Sequence, residues 1–434
     1  MAEEKKYSNE YARSENIVET YSDQEYDYKT EHHGDVDRAN AGSSLYAYFN
    51  IVCVIAGTGT LGLPYALGLG GWLGVLILFL AWTMSTYTGI ILVKCLYADP
   101  KRRMSTYKEI ATASFGVIGG WLTFFFNAWI TLGAPVLYMV LAGGNLQELT
   151  AGTAGAIGTV YWTIICCVLM AIPFVLVKNM KEIAIMSAFG ALATLVTVLI
   201  VLVVSCIHEK DLPPANTVPV IWPKFPIALS TISFSFGGNI IYPHVEASMK
   251  KPRQWPKVVS AGLATCAAMY FMTAVPGYYI YGDTVESPMY NSLPDGAPKI
   301  VAIVLMTVHV LLAAPLLTTS FSLDVEDMLN ITVERFGKIG EFCIRFCLRV
   351  FITVVVGVIA CTVPHFDALM SLIGSFANCG LILIFPVLFY WRLTGFRNKP
   401  IYEHAWCFLI ILLGIVGLIF GTIDSIRTLI SYYQ

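Results

Sequence analysis

Beyond residue 45, runs of about twenty or more mostly apolar residues follow one another almost to the end of the chain, and they leave it few ways to fold. They lie near 46–69, 72–97, 118–143, 156–177, 183–206 and 225–245, then near 257–281, 298–323, 344–363, 368–392 and 405–431. At about 1.5 Å per residue, each is long enough as a helix to cross about 30 Å of hydrocarbon. Composition agrees, since 56% hydrophobic residues, 13% charged residues and a mean hydropathy of +0.68 lie outside the range of soluble domains. The expected fold class is an all-α integral membrane protein of eleven transmembrane helices, with residues 45–434 as the membrane domain.

Lysine and arginine set the orientation, because cytoplasmic loops of multispanning proteins are enriched in them. Loops after even-numbered spans hold eighteen, among them Arg102, Arg103, Lys250, Lys251 and Arg397, whereas loops on the other side hold Lys210, Lys224 and Lys299. This bias places the N-terminus in the cytosol and, with an odd number of spans, the C-terminus outside. Residues 1–44 carry eleven acidic against five basic residues and no apolar period, which predicts a disordered cytosolic tail. Ser8, Ser14 and Ser22 could make that tail regulatory, although a solvated acidic tail is the plainer reading. The first apolar run is too long for a signal-peptide core and lacks a cleavage pattern, so it is read as its own insertion signal. The eleven cysteines sit mostly within spans without metal-ligand spacing and read as small core residues; Cys206 and Cys361 alone lie near outer span ends, where a disulfide is conceivable. The sequon Asn330-Ile331-Thr332 falls on the cytosolic side and is expected to stay unmodified.

The first span is interrupted at its centre by Gly57-Thr58-Gly59-Thr60-Leu61-Gly62-Leu63-Pro64. Unwound backbone at mid-membrane is tolerated where it is buried in protein or lines a ligand cavity, so the break points to a binding site. A second interruption, Ser233-Phe234-Ser235-Phe236-Gly237-Gly238-Asn239 with Pro243 one turn on, lies in the sixth span. Paired breaks of this kind suggest a secondary transporter. Broken helices expose N–H groups at one tip and C=O groups at the other, with matching partial charges. The carboxylate of a free amino acid can accept from N–H groups around Gly57, Thr58, Gly59 and Thr60, and its ammonium can donate to carbonyls near Ser233 to Phe236. Gly57, Gly59 and Gly62 allow close approach, and Pro64 restarts a helix without needing an N–H. Phe234 and Phe236 are candidates for gating or for packing on a substrate side chain, and Asn239 for a hydrogen bond near the site. The competing reading is a close helix-packing face built on small residues.

The run from Gly57 to Ala66 followed by Gly70-Gly71-Trp72 resembles the first-helix signature of the amino acid/auxin permease family, and Phe234 to Pro243 resembles that family's sixth helix. The resemblance covers about residues 42–434; within the family, Leu63-Pro64-Tyr65-Ala66 through Cys95-Leu96-Tyr97 is most similar to the vacuolar and vesicular branch. Many relatives have His or another polar residue where Asn239 stands. The resemblance implies a five-plus-five inverted repeat like that of sodium-coupled leucine transporters, with spans 1 and 6 broken and span 11 appended. It also implies uphill transport of amino acids, neutral ones by expectation, coupled to protons or in some branches to sodium, across a vacuolar or plasma membrane. No cofactor is implied beyond the transported ion, no nucleic acid, and function as a monomer.

A proton-coupled carrier needs a titratable group that substrate movement can reach. His309 lies near the middle of span 8, though a lone intramembrane His can simply bond a neighbouring helix. His244 and Glu246 end span 6 at the cytosolic face and could form an inner gate or proton acceptor; Asp324, Glu326 and Asp327 close span 8 in the same way. For sodium, the hydroxyls of Thr318 and Thr319 could join carbonyls of the first break in an oxygen cage, against the ordinary habit of such hydroxyls to bond their own helix. Nothing resembles an enzyme: the chain lacks a nucleophile and base pair, a metal-ligand cluster or a phosphate loop. A channel or an amino-acid sensor on the same scaffold are the rivals to a carrier.

Overall fold

Helices dominate because the bilayer demands it, and the places where they stop are the informative ones. The computed structural model describes residue 38 and residues 41–99, 102–176, 180–363 and 365–432. Most of the expected N-terminal tail, with Ser8, Ser14 and Ser22, lies outside the described residues. The helices are α1 (Ser44–Ile55), α2 (Thr58–Gly70), α3 (Leu73–Leu96), α4 (Tyr107–Leu149), α5 (Thr159–Leu176), α6 (Met180–His208), α7 (Phe225–Ser235) and α8 (Tyr242–Ala247). They continue as α9 (Trp255–Tyr281), α10 (Ala297–Met328), α11 (Val333–Thr362), α12 (Phe366–Thr394) and α13 (Ile401–Ser431). Among the described residues there is no named strand, only an isolated bridge between Gly42 and Met249.

Nine of these helices are long and apolar enough to cross a membrane, or ten when α1 and α2, bent by 41° at their break, count as one crossing. The remaining expected span falls on α7 and α8, which are 11 and 6 residues long and each too short to cross alone. Exposed apolar side chains such as Ile118, Phe189 and Phe351 cover the outside of the bundle, as a lipid-facing surface requires. The interior is formed where α2 packs on α7 and α9, and α10 on α4 and α6.

Local chemistry explains the irregular points. Pro64 inside α2 has no N–H for the Thr60 carbonyl one turn back, and the Thr273 hydroxyl of α9 donates to that carbonyl at 3.2 Å instead. Gly116, at φ +71°, turns the chain between a short first segment of α4 and its long spanning part. Thr106 caps that first segment by accepting from the Glu109 N–H at 3.2 Å. On the same membrane face, buried Arg349 of α11 donates to the Phe174 carbonyl in the last turn of α5 at 2.7 Å and pairs with Glu326 of α10 at 3.1 Å. A cation at an orphaned helix C-terminus is well placed. Thus Arg349 bolts three helices together.

Candidate functional site

The two helix breaks lie against each other. Ala56 leaves the α1 path at ψ 40° and Gly57 stands at φ −92°, ψ −129°, after which α2 begins at Thr58. In the second break, residues 236–241 separate α7 from α8. A Cβ placed on Gly59 would lie 2.7 Å from Ser235 Oγ and 2.8 Å from Ser235 Cα, so only glycine lets the breaks meet this closely. The Tyr270 hydroxyl of α9 reaches the carbonyls of both Ile55 and Ser235, one from each broken helix. Between them is a cavity of about 20 Å³ lined by Thr58, Gly59, Phe234, Ser235 and Gly237, with Tyr138 and Asn378 completing the polar wall. That is room for about one water, so an amino acid can enter only as side chains such as Phe234, Ile130 and Leu317 move.

The cavity has the polarity a zwitterion needs. The first N–H groups of α2 have no intrahelical acceptor, and the last carbonyls of α1 and α7 have no intrahelical donor. Those carbonyls are partly held by side chains: Tyr138 approaches Val54 O at 3.5 Å, and Asn378 Nδ2 donates to Phe234 O at 3.1 Å. An arriving ammonium would take over donors' places that protein hydroxyls and amides now fill.

The other six residues read from the sequence as substrate-binding surround this cavity and do not line it. Gly57 faces His309 and Tyr138, Thr60 presents its carbonyl to Thr273, and Gly62 abuts the Met370 methyl. Ser233 Oγ accepts from Cys379 Sγ at 3.6 Å, and Phe236 packs edge-on against Tyr270 at 5.0 Å. Asn239 Nδ2 donates to Thr88 Oγ1 at 3.3 Å and Ile382 O at 3.4 Å, tying α3 and α12 to the second break. Sequence reading passed over Tyr138, Tyr270 and Asn378. Asn378 carried a usable signal, an amide inside an apolar span. It sits in the stretch Gly374–Ile384 where α12 widens to i→i+5 turns, a deformation frequent at functional sites, which the 3.6-residue period cannot reveal.

The coupling candidates divide into two groups. His309, fully buried on α10, places Nδ1 2.9 Å from the Gly190 carbonyl and 2.8 Å from Thr194 Oγ1. A carbonyl only accepts, so Nδ1 carries the hydrogen and Nε2 keeps its lone pair, with no partner among the described residues. A Cβ on Gly57 would lie 2.9 Å from that Nε2, so the ring stands at the first break. Thr318 bonds back to Ala314 O and Pro315 O at 3.1 and 3.2 Å, while the Thr319 hydroxyl is buried without a partner among the described residues. His244 and Glu246 are on α8, toward the opposite end from α7. His244 Nε2 lies 3.0 Å from Asp324 Oδ1, and Asp324 Oδ2 accepts from Asn127 of α4 at 2.8 Å. Glu246 is fully buried: Arg103 pairs with it at 2.6 Å, Arg38 at 3.0 Å, and the Tyr97 hydroxyl donates to it at 2.5 Å. Arg38 belongs to the stretch expected to be tail, yet it also donates to the Met249 carbonyl at 2.6 Å.

A membrane transport fold follows from this arrangement, and solved structures share it. Mhp1, a nucleobase-cation-symport-1 family transporter, covers 93% of this chain and 96% of its own at 14% identity with a TM-score of 0.54. A sodium-coupled sialic acid symporter covers 92% of each chain at 12% identity with a TM-score of 0.56. The chain belongs to the transmembrane amino acid transporter family, whose model matches residues 40–427. Similar members are amino acid transporter AVT1B of Arabidopsis thaliana, 28% identical over 92% of this chain and 73% of that protein, and the vesicular inhibitory amino acid transporter of Rattus norvegicus, 26% identical over 89% and 76%. These relatives are transporters and not enzymes.

Proposed function

We propose that this chain is a secondary active carrier that moves neutral amino acids by alternating access and couples them to protons. The carrying observation is the contact of Gly59 with Ser235, joined by Tyr270, which brings N–H groups of one broken helix and carbonyls of another around one cavity. That pairing recognises the two charges of an amino acid without a charged side chain. In this reading α1 with α2 is span 1 and α7 with α8 is span 6, giving eleven crossings in a five-plus-five arrangement and an N-terminus in the cytosol of a vacuolar or plasma membrane. Thr58, Gly59, Phe234, Ser235 and Gly237 contact substrate, and His309 carries the proton because its Nε2 faces the break that substrate must disturb. The sodium reading has less support, since one of its two hydroxyls, Thr318, is turned onto its own helix.

Uptake of a panel of amino acids into proteoliposomes tests the reading; saturation and counterflow identify a carrier, their absence with flux a channel, and binding without flux a sensor. A gradient acid on the C-terminal side is expected to drive accumulation on the N-terminal side without sodium. His309→Gln should abolish this accumulation while leaving exchange at equal pH within about threefold of wild type. Strict sodium dependence that disappears with Thr318→Ala and Thr319→Ala would instead establish the cation cage. For orientation, tags at Met1 and after Gln434 should be protected on opposite sides of the membrane, and finding them on one side would refute eleven crossings.

A further inference from the structure

A larger cavity of about 360 Å³ lies one to two helical turns from the central one, toward the C-terminal end of α2 and the N-terminal ends of α7 and α12. Tyr65 of α2, Thr231 of α7 and Met370 of α12 line it, in the same three walls that supply Gly59, Ser235 and Asn378 below. The two cavities are in register: the Thr231 carbonyl accepts from Ser235 Oγ at 3.0 Å, and the Met370 methyl closes on Gly62. The volume is at the low end of the roughly 300–1,000 Å³ of small-molecule sites, enough for a free amino acid.

Its charges are unevenly committed. Asp367, at the start of α12, has its Oδ1 buried; it draws on the neighbouring Ser287 hydroxyl and has no ion pair among the described residues. A buried carboxylate held by one hydroxyl and no cation calls for a charged donor from a ligand. Arg427 is engaged by Asp424 at 3.5 Å, whereas Lys224 at the exposed rim has no ion pair among the described residues. An anionic wall and a cationic rim across one small cavity match a zwitterion. Tyr432 at the end of α13 stacks on His365 at 4.3 Å and walls the cavity on its far side.

We propose that this outer cavity is a second amino acid site, in which Asp367 with Ser287 accepts the α-ammonium and Lys224 pairs with the α-carboxylate before substrate passes Met370 to the breaks. It rests on the transport reading above, and it assigns recognition by charged side chains to the entry and recognition by helix ends to the centre.

The test uses the full-length protein in liposomes and follows exchange of labelled L-alanine at equal pH on both sides, so that coupling does not enter. Asp367→Asn should raise the apparent KM by about tenfold with the maximal rate within about twofold, and Asp367→Glu should recover most of the loss. Ethylamine, which keeps the ammonium, should compete in wild type and fail to compete in Asp367→Asn; propionate should fail selectively in Lys224→Gln. An unchanged KM in Asp367→Asn, or parallel loss of both competitors in each variant, overturns the assignment. In protein with Cys206 and Cys361 changed to Ser, Ser371→Cys should be shielded from a maleimide by L-alanine even when Gly59→Val blocks the inner site. Loss of shielding in that background, or shielding by sodium alone, makes the cavity a passage or a cation site and overturns the proposal. If wild type exchanges no amino acid of the panel, the transport reading fails, and shielding alone then judges the outer site.

Discussion

Gly59→Val is expected to bring amino acid uptake down to that of protein-free liposomes, while the protein remains monodisperse in detergent. The reason is geometric. A first methyl at position 59 would already stand 2.8 Å from Ser235 Cα, and that atom belongs to a backbone held on both sides by the α7 helix and the second break. The neighbour cannot rotate away as a flexible side chain could, so the breaks must separate and the cavity of about 20 Å³ is filled or distorted. Gly59→Ala should therefore lose at least about tenfold in uptake, and Ser235→Leu nearly as much as the valine variant. Gly144→Ala is the control, because a Cβ there meets nothing within 4 Å and alanine favours the helix. Its neighbour Gly143 is unsuitable, since a Cβ there would press on the backbone and hydroxyl of Thr163. Gly59→Val protein that transports with unchanged affinity would reduce the first break to a packing device and remove the proposed site.

What could be read from the sequence follows from how local each signal is. Long apolar runs report membrane crossing because the bilayer acts on each segment by itself, and the Gly57 to Pro64 run reports a break because glycine and proline act on their own backbone. The sixth span was legible only as a disturbed apolar stretch; its two pieces, α7 and α8, are too short to signal a crossing separately. Asn239 drew attention as a polar residue at the second break, but Asn378 is the amide that reaches the cavity, and the widened turns of α12 that aim it leave no periodic trace. Asp367 was passed over because it stands at a span end, where a carboxylate ordinarily meets water; the cavity is formed by segments distant in sequence. Arg38 was grouped with an acidic tail for the same reason, since an ion pair with Glu246, 208 residues away, leaves no mark on its neighbours.

That ion pair leads to the second large effect: Glu246→Gln is expected to lower uptake by at least about tenfold and to open the face of the protein that carries Arg103. Glu246 holds α8 to the end of α3 through Tyr97, to the α3–α4 connection through Arg103 and to the segment before α1 through Arg38. Its side chain is fully buried and that of Arg103 is 3% exposed, so removing the carboxylate leaves a guanidinium without its anion in a poorly solvated place. Breaking a buried pair by deleting one partner costs about 3–5 kcal/mol, which against an open state where the arginines reach water shifts the closed-to-open ratio by roughly two to nearly four powers of ten. Only a difference between the two states moves the population, so the measurement must read the state and not stability alone. A charged maleimide added on the N-terminal side, with labelling resolved at the buried native thiols Cys53 and Cys379 beside the breaks, supplies that readout. Labelling at least about tenfold faster in Glu246→Gln is expected, a smaller gain in Arg38→Gln because Arg38 is 19% exposed, and a smaller one again in His244→Ala, which leaves Asp324 its bond from Asn127. Wild-type labelling rates together with wild-type uptake in Glu246→Gln would mean that the cluster only stabilises the fold and that the gate lies elsewhere.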